Sequence, residues 1–308
     1  MVIIFNPVAG RRRAALLWRV LDVMSQSGVR LDIVETQRAG HGGEMAREAA
    51  RAGVNLVVAA GGDGTIAEVA AGLAGSPCRL GIIPLGTANV LAHELALPFA
   101  PREVAAALAF GRTRTVWPGI AESALGPRLF VQMLGAGFDA QVVHHLPPGL
   151  KRALGRGAYV AQSMREAGRY GFPPIRLRLD GVACEAGSVI VTKGHFYAGR
   201  YVLAPGADPG ERGFTVALFG RTGPLAALAY GAALPLNRLA IMPGVRLVRA
   251  AVVEILSADI PAQADGDPAG VGPIAIHDAT QPLSIVVGSL VAGTSAAPAR
   301  RWPVAGGL

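Results

Sequence analysis

Leu56-Val57-Val58-Ala59-Ala60-Gly61-Gly62-Asp63-Gly64-Thr65-Ile66-Ala67-Glu68-Val69 is the stretch that decides the fold. Residues 56–60 are wholly apolar and stop at a glycine pair, which predicts a strand buried on both faces. Helical spacing resumes at Thr65 and predicts a helix over 65–73. Between them, Gly61, Gly62 and Gly64 let backbone amides approach an anion with no Cβ in the way. The N-terminus of the following helix adds partial positive charge. Thr65 can cap that helix or touch a phosphate. Asp63 is out of place beside a phosphate unless it holds Mg²⁺, directly or through water. An ordinary turn with an Asp cap fits the same residues.

The pattern repeats outward from this loop. Residues 2–5 read as a buried strand closed by Asn6-Pro7, and 11–27 as a helix stopped by Gly28. A strand over 30–35, a helix over 43–52, a strand over 79–83 and helices over 89–95 and 101–110 follow. Strands alternating with helices through short links predict βαβ units and a parallel sheet. Glycine turns at Asn6-Pro7…Gly10, Gly61–Thr65 and Gly86-Thr87 then fall on one sheet edge, where open α/β sheets bind ligands. This unit is assigned to residues 1–118.

The pattern changes at Trp117-Pro118-Gly119. Short strands are predicted over 129–134, 175–179, 188–192, 214–218, 246–248, 252–256 and 283–287, with helices over 156–170 and near 225–230. Such spacing predicts an antiparallel β-sandwich over 119–291. Residues 292–308, rich in Gly, Ala and Pro, read as a tail that either hangs loose or packs on the first domain. The fold class is therefore α/β with two domains, the second a β-sandwich.

Composition narrows the function. The chain has 308 residues, with 29 Lys and Arg against 21 Asp and Glu, a formal charge of +8. Such a surface suits nucleotides or an anionic membrane surface. Nucleic acid is not expected as a partner, because no recognition motif or basic run occurs and aromatics do not interleave with charge. Cys78 and Cys184 lie far apart, as reduced thiols of a cytoplasmic protein do. No signal peptide is evident, and the apolar runs 54–60 and 225–236 fall short of the roughly 20 residues that span a bilayer. The expected location is cytoplasmic, peripherally associated with membrane.

Near the C-terminus, Asp265-Gly266-Asp267 admits two readings. Asp-Gly is the common hairpin pair. Two carboxylates flanking a glycine also suit metal binding together with proton abstraction from an alcohol.

Seven segments, in order, resemble the diacylglycerol kinase catalytic family, which includes bacterial lipid kinases, sphingosine kinases and ceramide kinases. They are FNPVAG (5–10), GGDGTIAEV (61–69), PLGTANVLAHEL (84–95), LGAGFDA (134–140), Lys151…Gly157…Tyr159, LAP (203–205) and ADGDP (264–268). The resemblance implies a first domain like those of NAD kinases and phosphofructokinases. It implies ATP held between the domains, with phosphates on Gly61, Gly62, Asp63, Gly64 and Thr65, and with Asn6, Thr36, Gly86, Thr87 and Asn89 completing the nucleotide site. It implies a lipid hydroxyl as acceptor, such as that of diacylglycerol or a sphingoid base. Asp267 would be the catalytic base, Asp265 would stand beside it, and Asp63 would hold Mg²⁺.

Two departures from the family pattern stand out. The family's glutamate base is Asp267 here, one methylene shorter. In the segment of a structural Mg²⁺ site, Arg212 stands where an aspartate is expected, which argues against that site; Arg212 could replace the metal electrostatically, and Asp208 or Glu211 could rescue it. Two other readings remain: a kinase with a soluble acceptor, like an NAD kinase, and a catalytically weak nucleotide- or lipid-binding protein. Leu134, Phe138, Val142, Val143 and Leu146 are candidates for an acyl cleft or for plain core. Lys151, Arg152, Arg156, Arg165 and Arg169 are candidates for headgroup contact or for a solvated helix face. A lipid substrate, an anionic membrane surface and a second copy of the chain are the partners to test.

Overall fold

The computed structural model describes residues 1–8, 14–147 and 156–288. Gly10, Lys151, Arg152 and the 292–308 tail lie outside them.

The first domain runs β1 (Val2–Phe5), α1 (Ala14–Gln26), β2 (Asp32–Glu35), α2 (His41–Arg51), β3 (Leu56–Gly61), α3 (Asp63–Leu73), β4 (Arg79–Pro84), α4 (Val90–Glu94), α5 (Pro101–Phe110) and β5 (Arg112–Val116). The chain then makes β6 (Gly119–Ser123), β7 (Gly126–Phe130), β8 (Met133–Gly137), α6 (Phe138–His144), α7 (Arg156–Ala167), β9 (Ile175–Leu179), β10 (Val182–Ala186) and β11 (Ser188–Thr192). A small ribbon of β12 (Phe196–Tyr197) and β13 (Tyr201–Val202) precedes β14 (Phe214–Phe219), α8 (Pro224–Ala233) and a 3₁₀ turn at Leu239–Ile241. Last come β15 (Val245–Ala250), β16 (Val253–Ile255), β17 (Pro261–Ala264), β18 (Asp267–Val271), β19 (Ile274–Asp278) and β20 (Leu283–Val287).

The first sheet has the order β2-β1-β3-β4-β20-β5. β3 and β4 are apolar because both of their faces are covered. α2 and α3 bury Ala46, Ile66, Val69 and Leu73 against Val57, Ala59 and Leu80 on one side. α1 and α5 bury Leu17, Val20, Val104 and Leu108 against Ile3, Val58 and Ile83 on the other. The second domain is a sandwich of two antiparallel sheets, β10-β9-β16-β19-β6-β7 and β15-β14-β11-β8-β17-β18. Alternating inward residues fill it: Leu134, Val189, Phe214 and Val216 from one sheet meet Leu177, Val253, Ile255 and Ile276 from the other.

The structure corrects the sequence reading in three places. Residues 283–287 form a strand, but not in the sandwich. β20 pairs in parallel with β4 and antiparallel with β5, and it buries Leu283 and Ile285 in one core of the first sheet and Val286 in the other. The first sheet is therefore mixed, not wholly parallel, and the first domain is not confined to 1–118. The chain passes between domains twice, at neighbouring points: Ala279 donates its N–H to Pro118 O at 2.9 Å. Residues 129–134 are two strands, β7 and β8, broken at Val131-Gln132. That break has a purpose at the site described next.

Candidate active site

Two glycine loops meet at the C-terminal edge of β3 and β4. The approach is so close that a Cβ on Gly86 would lie 2.6 Å from the Gly62 Cα. No side chain fits there, so glycine is required at this contact. Leu85 N–H donates to Gly61 O at 2.9 Å and further ties the two strand ends.

Asp63 joins the same two loops. Its Oδ1 accepts the Val90 N–H at 2.6 Å, at the start of α4. Burial raises its pKa, and the amides of Val90, Asn89, Leu91 and Asp63 itself work against that rise. The carboxylate is taken up by backbone donors, so it does not fit a directly held metal. Thr65 is turned inward, 4% exposed, beneath Gly61, and its Oγ1 accepts Asn6 Nδ2 at 3.0 Å. It neither caps α3 nor opens to solvent. Asn6 and Thr65 thus lock the turn after β1 to the loop after β3. Asn89, in left-handed conformation at φ 47°, donates Nδ2 to Gly86 O at 2.9 Å. Its buried Oδ1 has no hydrogen-bond partner among the described residues. Thr36 lies at the end of β2, its N–H on Phe5 O at 2.9 Å. Thr87 is exposed and lines a cavity of about 590 Å³ with Arg19, His93 and the second domain's Arg200.

The second domain brings the Asp265-Gly266-Asp267 turn to this edge. Of the two sequence readings of the turn, the hairpin is the one observed. Asp265 (φ 50°) and Gly266 (φ 86°) form a two-residue hairpin loop between β17 and β18, with Ala264 paired to Asp267. Asp267, first residue of β18, sets its carboxylate against the first loop: a Cβ on Gly64 would lie 2.8 Å from Asp267 Oδ2. Asp265 points the other way. It accepts the N–H groups of Val131, Gln132 and Met133 at 2.7, 2.9 and 3.0 Å. The interruption between β7 and β8 frees those three amides, so the broken strand is what seats the hairpin.

Burial raises the Asp265 pKa to about 6, the three amides oppose the rise, and the nearby Asp63 charge adds to it. The native group therefore binds a proton between about 6 and the ordinary aspartate value of 3.8, where the unfolded chain does not. Its contribution to stability should grow as pH falls through that window and be smallest above it. In denaturant titrations, the gap between wild type and Asp265→Asn should slope with pH there and flatten outside it. A gap that stays constant from pH 4 to 7 would remove the titration from Asp265.

A buried network behind the hairpin escaped the sequence reading. Tyr197 Oη donates to Asp139 Oδ1, Gln263 Nε2 donates to Asp139 Oδ2 at 2.9 Å, and Gln263 Oε1 accepts the Gly266 N–H at 2.8 Å. Burial raises the pKa of Asp139. The available signal was Gln263, a polar residue between Ala262 and Ala264 in an otherwise apolar strand, on the face turned away from the sandwich core. Among the proposed cleft residues, Leu134 belongs to the sandwich core, whereas Phe138 stacks on Phe172 with centroids 5.2 Å apart.

The site of the implied structural Mg²⁺ does not fit a metal. Asp208 is engaged by Arg114 Nη2 at 2.6 Å, and Glu211 by Arg249 at 3.0 Å. Arg212 stacks on Trp117 at 4.6 Å and reaches Asp278 at only 3.6 Å. The cation at the centre of this loop is Lys193, which the sequence reading passed over. Its Nζ donates to Asp278 Oδ1 at 2.7 Å, Gly213 O at 2.7 Å and Glu211 O at 3.1 Å, and lies 4.7 Å from the Phe214 ring centroid. Burial lowers its pKa, and Asp278 pulls it back up. Among the described residues, no group of three or more His, Cys, Asp or Glu could hold a metal ion.

A glycine-looped α/β domain facing a sandwich that presents a carboxylate to the loop defines a two-domain kinase architecture. The chain belongs to the diacylglycerol kinase catalytic family: residues 1–119 match the diacylglycerol kinase catalytic domain, and residues 132–287 match the YegS C-terminal NAD kinase beta sandwich-like domain. It is 38% identical over 179 residues to a Chromohalobacter salexigens protein named "Probable lipid kinase YegS-like", a stretch covering 53% of this chain and 56% of that one. It is 36% identical over 169 residues to a Bacillus subtilis protein named "Diacylglycerol kinase", covering 53% of this chain and 54% of that one. The chain thus spans about half the length of the curated relatives it matches. A crystal structure of a diacylglycerol kinase from Bacillus anthracis str. Sterne shares the fold, with a TM-score of 0.70, 20% identity and coverage of 94% of this chain and 97% of that one.

Proposed function

We propose that the chain transfers the γ-phosphate of ATP to the hydroxyl of a lipid, with Asp267 as general base. The observation that carries this reading is the placement of the Asp267 carboxylate beside Gly64, with Oδ2 2.8 Å from where a Cβ there would lie. A phosphate on the amides of the 61–65 loop would lie beside a carboxylate presented by the other domain. In the reaction, the acceptor hydroxyl gives its proton to Asp267, its oxygen bonds to the γ-phosphorus, the bond to the β,γ-bridging oxygen breaks, and ADP leaves. The chain's part is to position the phosphates, through loop amides and the N-terminus of α3, and to receive the proton. Arg19 and Arg200 beside Thr87 give the adjoining cavity the charge that a triphosphate needs. Mg²⁺ enters this reading as the counter-ion of the nucleotide phosphates, with no ligand assigned to it on the chain.

The test is transfer of labelled γ-phosphate to diacylglycerol, sphingoid bases, ceramide and monoacylglycerols in mixed micelles. NAD serves as the soluble acceptor in a parallel reaction. A labelled lipid supports the reading. Label on NAD alone, or on no acceptor, overturns it.

Two glycine substitutions should separate fold from chemistry. Gly86→Ala drives a Cβ into the Gly62 backbone and should cost about 1–3 kcal/mol in denaturant melts. Gly64→Ala meets only the end of the Asp267 side chain, so its melting should stay near wild type while the transfer rate falls. Equal loss of stability in both variants would contradict this division.

A further inference from the structure

The second domain carries an apolar helix with nothing among the described residues over its outer face. α8 has no charged residue, and only Ala233 is fully buried. A helix apolar all round belongs in a core or in lipid. Tyr230 and Ala233 face the domain, Tyr230 packing on Phe219 at 5.2 Å and donating Oη to Pro243 O. The opposite stripe, Leu225, Leu228, Ala229 and Ala232, has the spacing of one helical face and is exposed, Leu225 at 83%. α7 packs beside α8 and adds exposed Val160 and Met164; past the helix, Leu236 and Ile241 are exposed at 69% and 73%.

The charge around this face has one sign. From Arg221 to Arg246 the sequence holds three arginines, at 221, 238 and 246, and no Asp, Glu or Lys. Arg221 and Arg238, one before and one after α8, are both exposed, as are Arg165 and Arg169 on the α7 side. An apolar stripe rimmed by guanidiniums matches the boundary of an anionic bilayer, where acyl chains lie under negative headgroups. α7 also connects this face to the candidate site: Tyr159, next to Val160, places its Oη 3.9 Å from where a Gly266 Cβ would be.

We infer that α8, with the exposed ends of α7 and the Leu236–Ile241 segment, is a docking face for an anionic phospholipid surface. This moves the expected headgroup contact from the 151–169 basic residues alone to a face centred on residues 224–241. The inference stands apart from phosphoryl transfer, since vesicle binding needs neither nucleotide nor acceptor.

The test is flotation of the full chain, without nucleotide, with phosphatidylcholine vesicles and with vesicles that also contain phosphatidylglycerol. Binding is expected only with the anionic vesicles, weakening as salt rises. Leu225→Glu/Leu228→Glu is expected to weaken it at least about tenfold, and Arg221→Glu/Arg238→Glu by a similar factor. These positions are exposed, so unchanged thermal melting is the control for folding. Absence of anionic binding, or binding unaffected by the paired Glu substitutions, overturns the inference. So does a wild-type dimer that becomes monomeric in Leu225→Glu/Leu228→Glu, because a second copy would then be the occupant.

Discussion

Asp267→Asn is expected to lower the rate of phosphoryl transfer by roughly 10²–10⁴-fold, the range that a positioned general base supplies. Nucleotide affinity and melting should change little. Asn has the same shape, so it keeps its place against Gly64 while losing the ability to take a proton. A rapid-quench measurement with saturating nucleotide and acceptor reads the chemical step. Transfer at the wild-type rate would put the base elsewhere and leave the protein as a binder. The shorter aspartate is no defect in this geometry, since the hairpin brings its carboxylate to within 2.8 Å of a Cβ position on the loop. Asp267→Glu should therefore also reduce the rate, because its extra methylene moves the carboxylate from its place beside Gly64.

The second large effect is expected at Lys193. Lys193→Met should destabilise the fold by about 3–5 kcal/mol, the usual result of removing one partner of a buried ion pair. The loss leaves the Asp278 carboxylate and the Glu211 and Gly213 carbonyls without their donor. Urea titration checks the magnitude. Adding Asp278→Asn should recover part of the loss, because the orphaned charge is then gone. Chelation by EDTA should leave wild-type melting unchanged, since the ion that organises this loop is part of the chain. A clear drop in melting temperature with EDTA would mean that a metal binds there after all.

Much of this was legible in the sequence, for reasons that differ by residue. The strands β3 and β4 and their glycine loops were legible because residues buried on both faces form continuous apolar runs that end at a backbone contact only glycine allows. The Asp-Gly hairpin was legible from its own two residues. β20 was recognisable as a strand but not as a member of the first sheet. Its apolar pattern records burial and carries no label for which core does the burying. The inward turn of Thr65 and the capping role of Asp63 depend on partners 59 and 27 residues away, Asn6 and Val90. Motif spacing shows that such residues belong together, not which way their side chains point. Lys193 was missed because a lone lysine after an apolar strand reads as solvent-facing, and the partners that make its burial tolerable, Asp278 and the Glu211 and Gly213 carbonyls, lie far along the chain.

The placement of β20 between β4 and β5 bears on how the molecule is made. A nascent chain emerges from its N-terminus, and N-terminal domains ordinarily fold first. Here β5 has no neighbour in its sheet until residues 283–287 leave the ribosome, after all of the sandwich has been synthesised. The first domain must wait, incomplete at one edge, for the last described strand to close it.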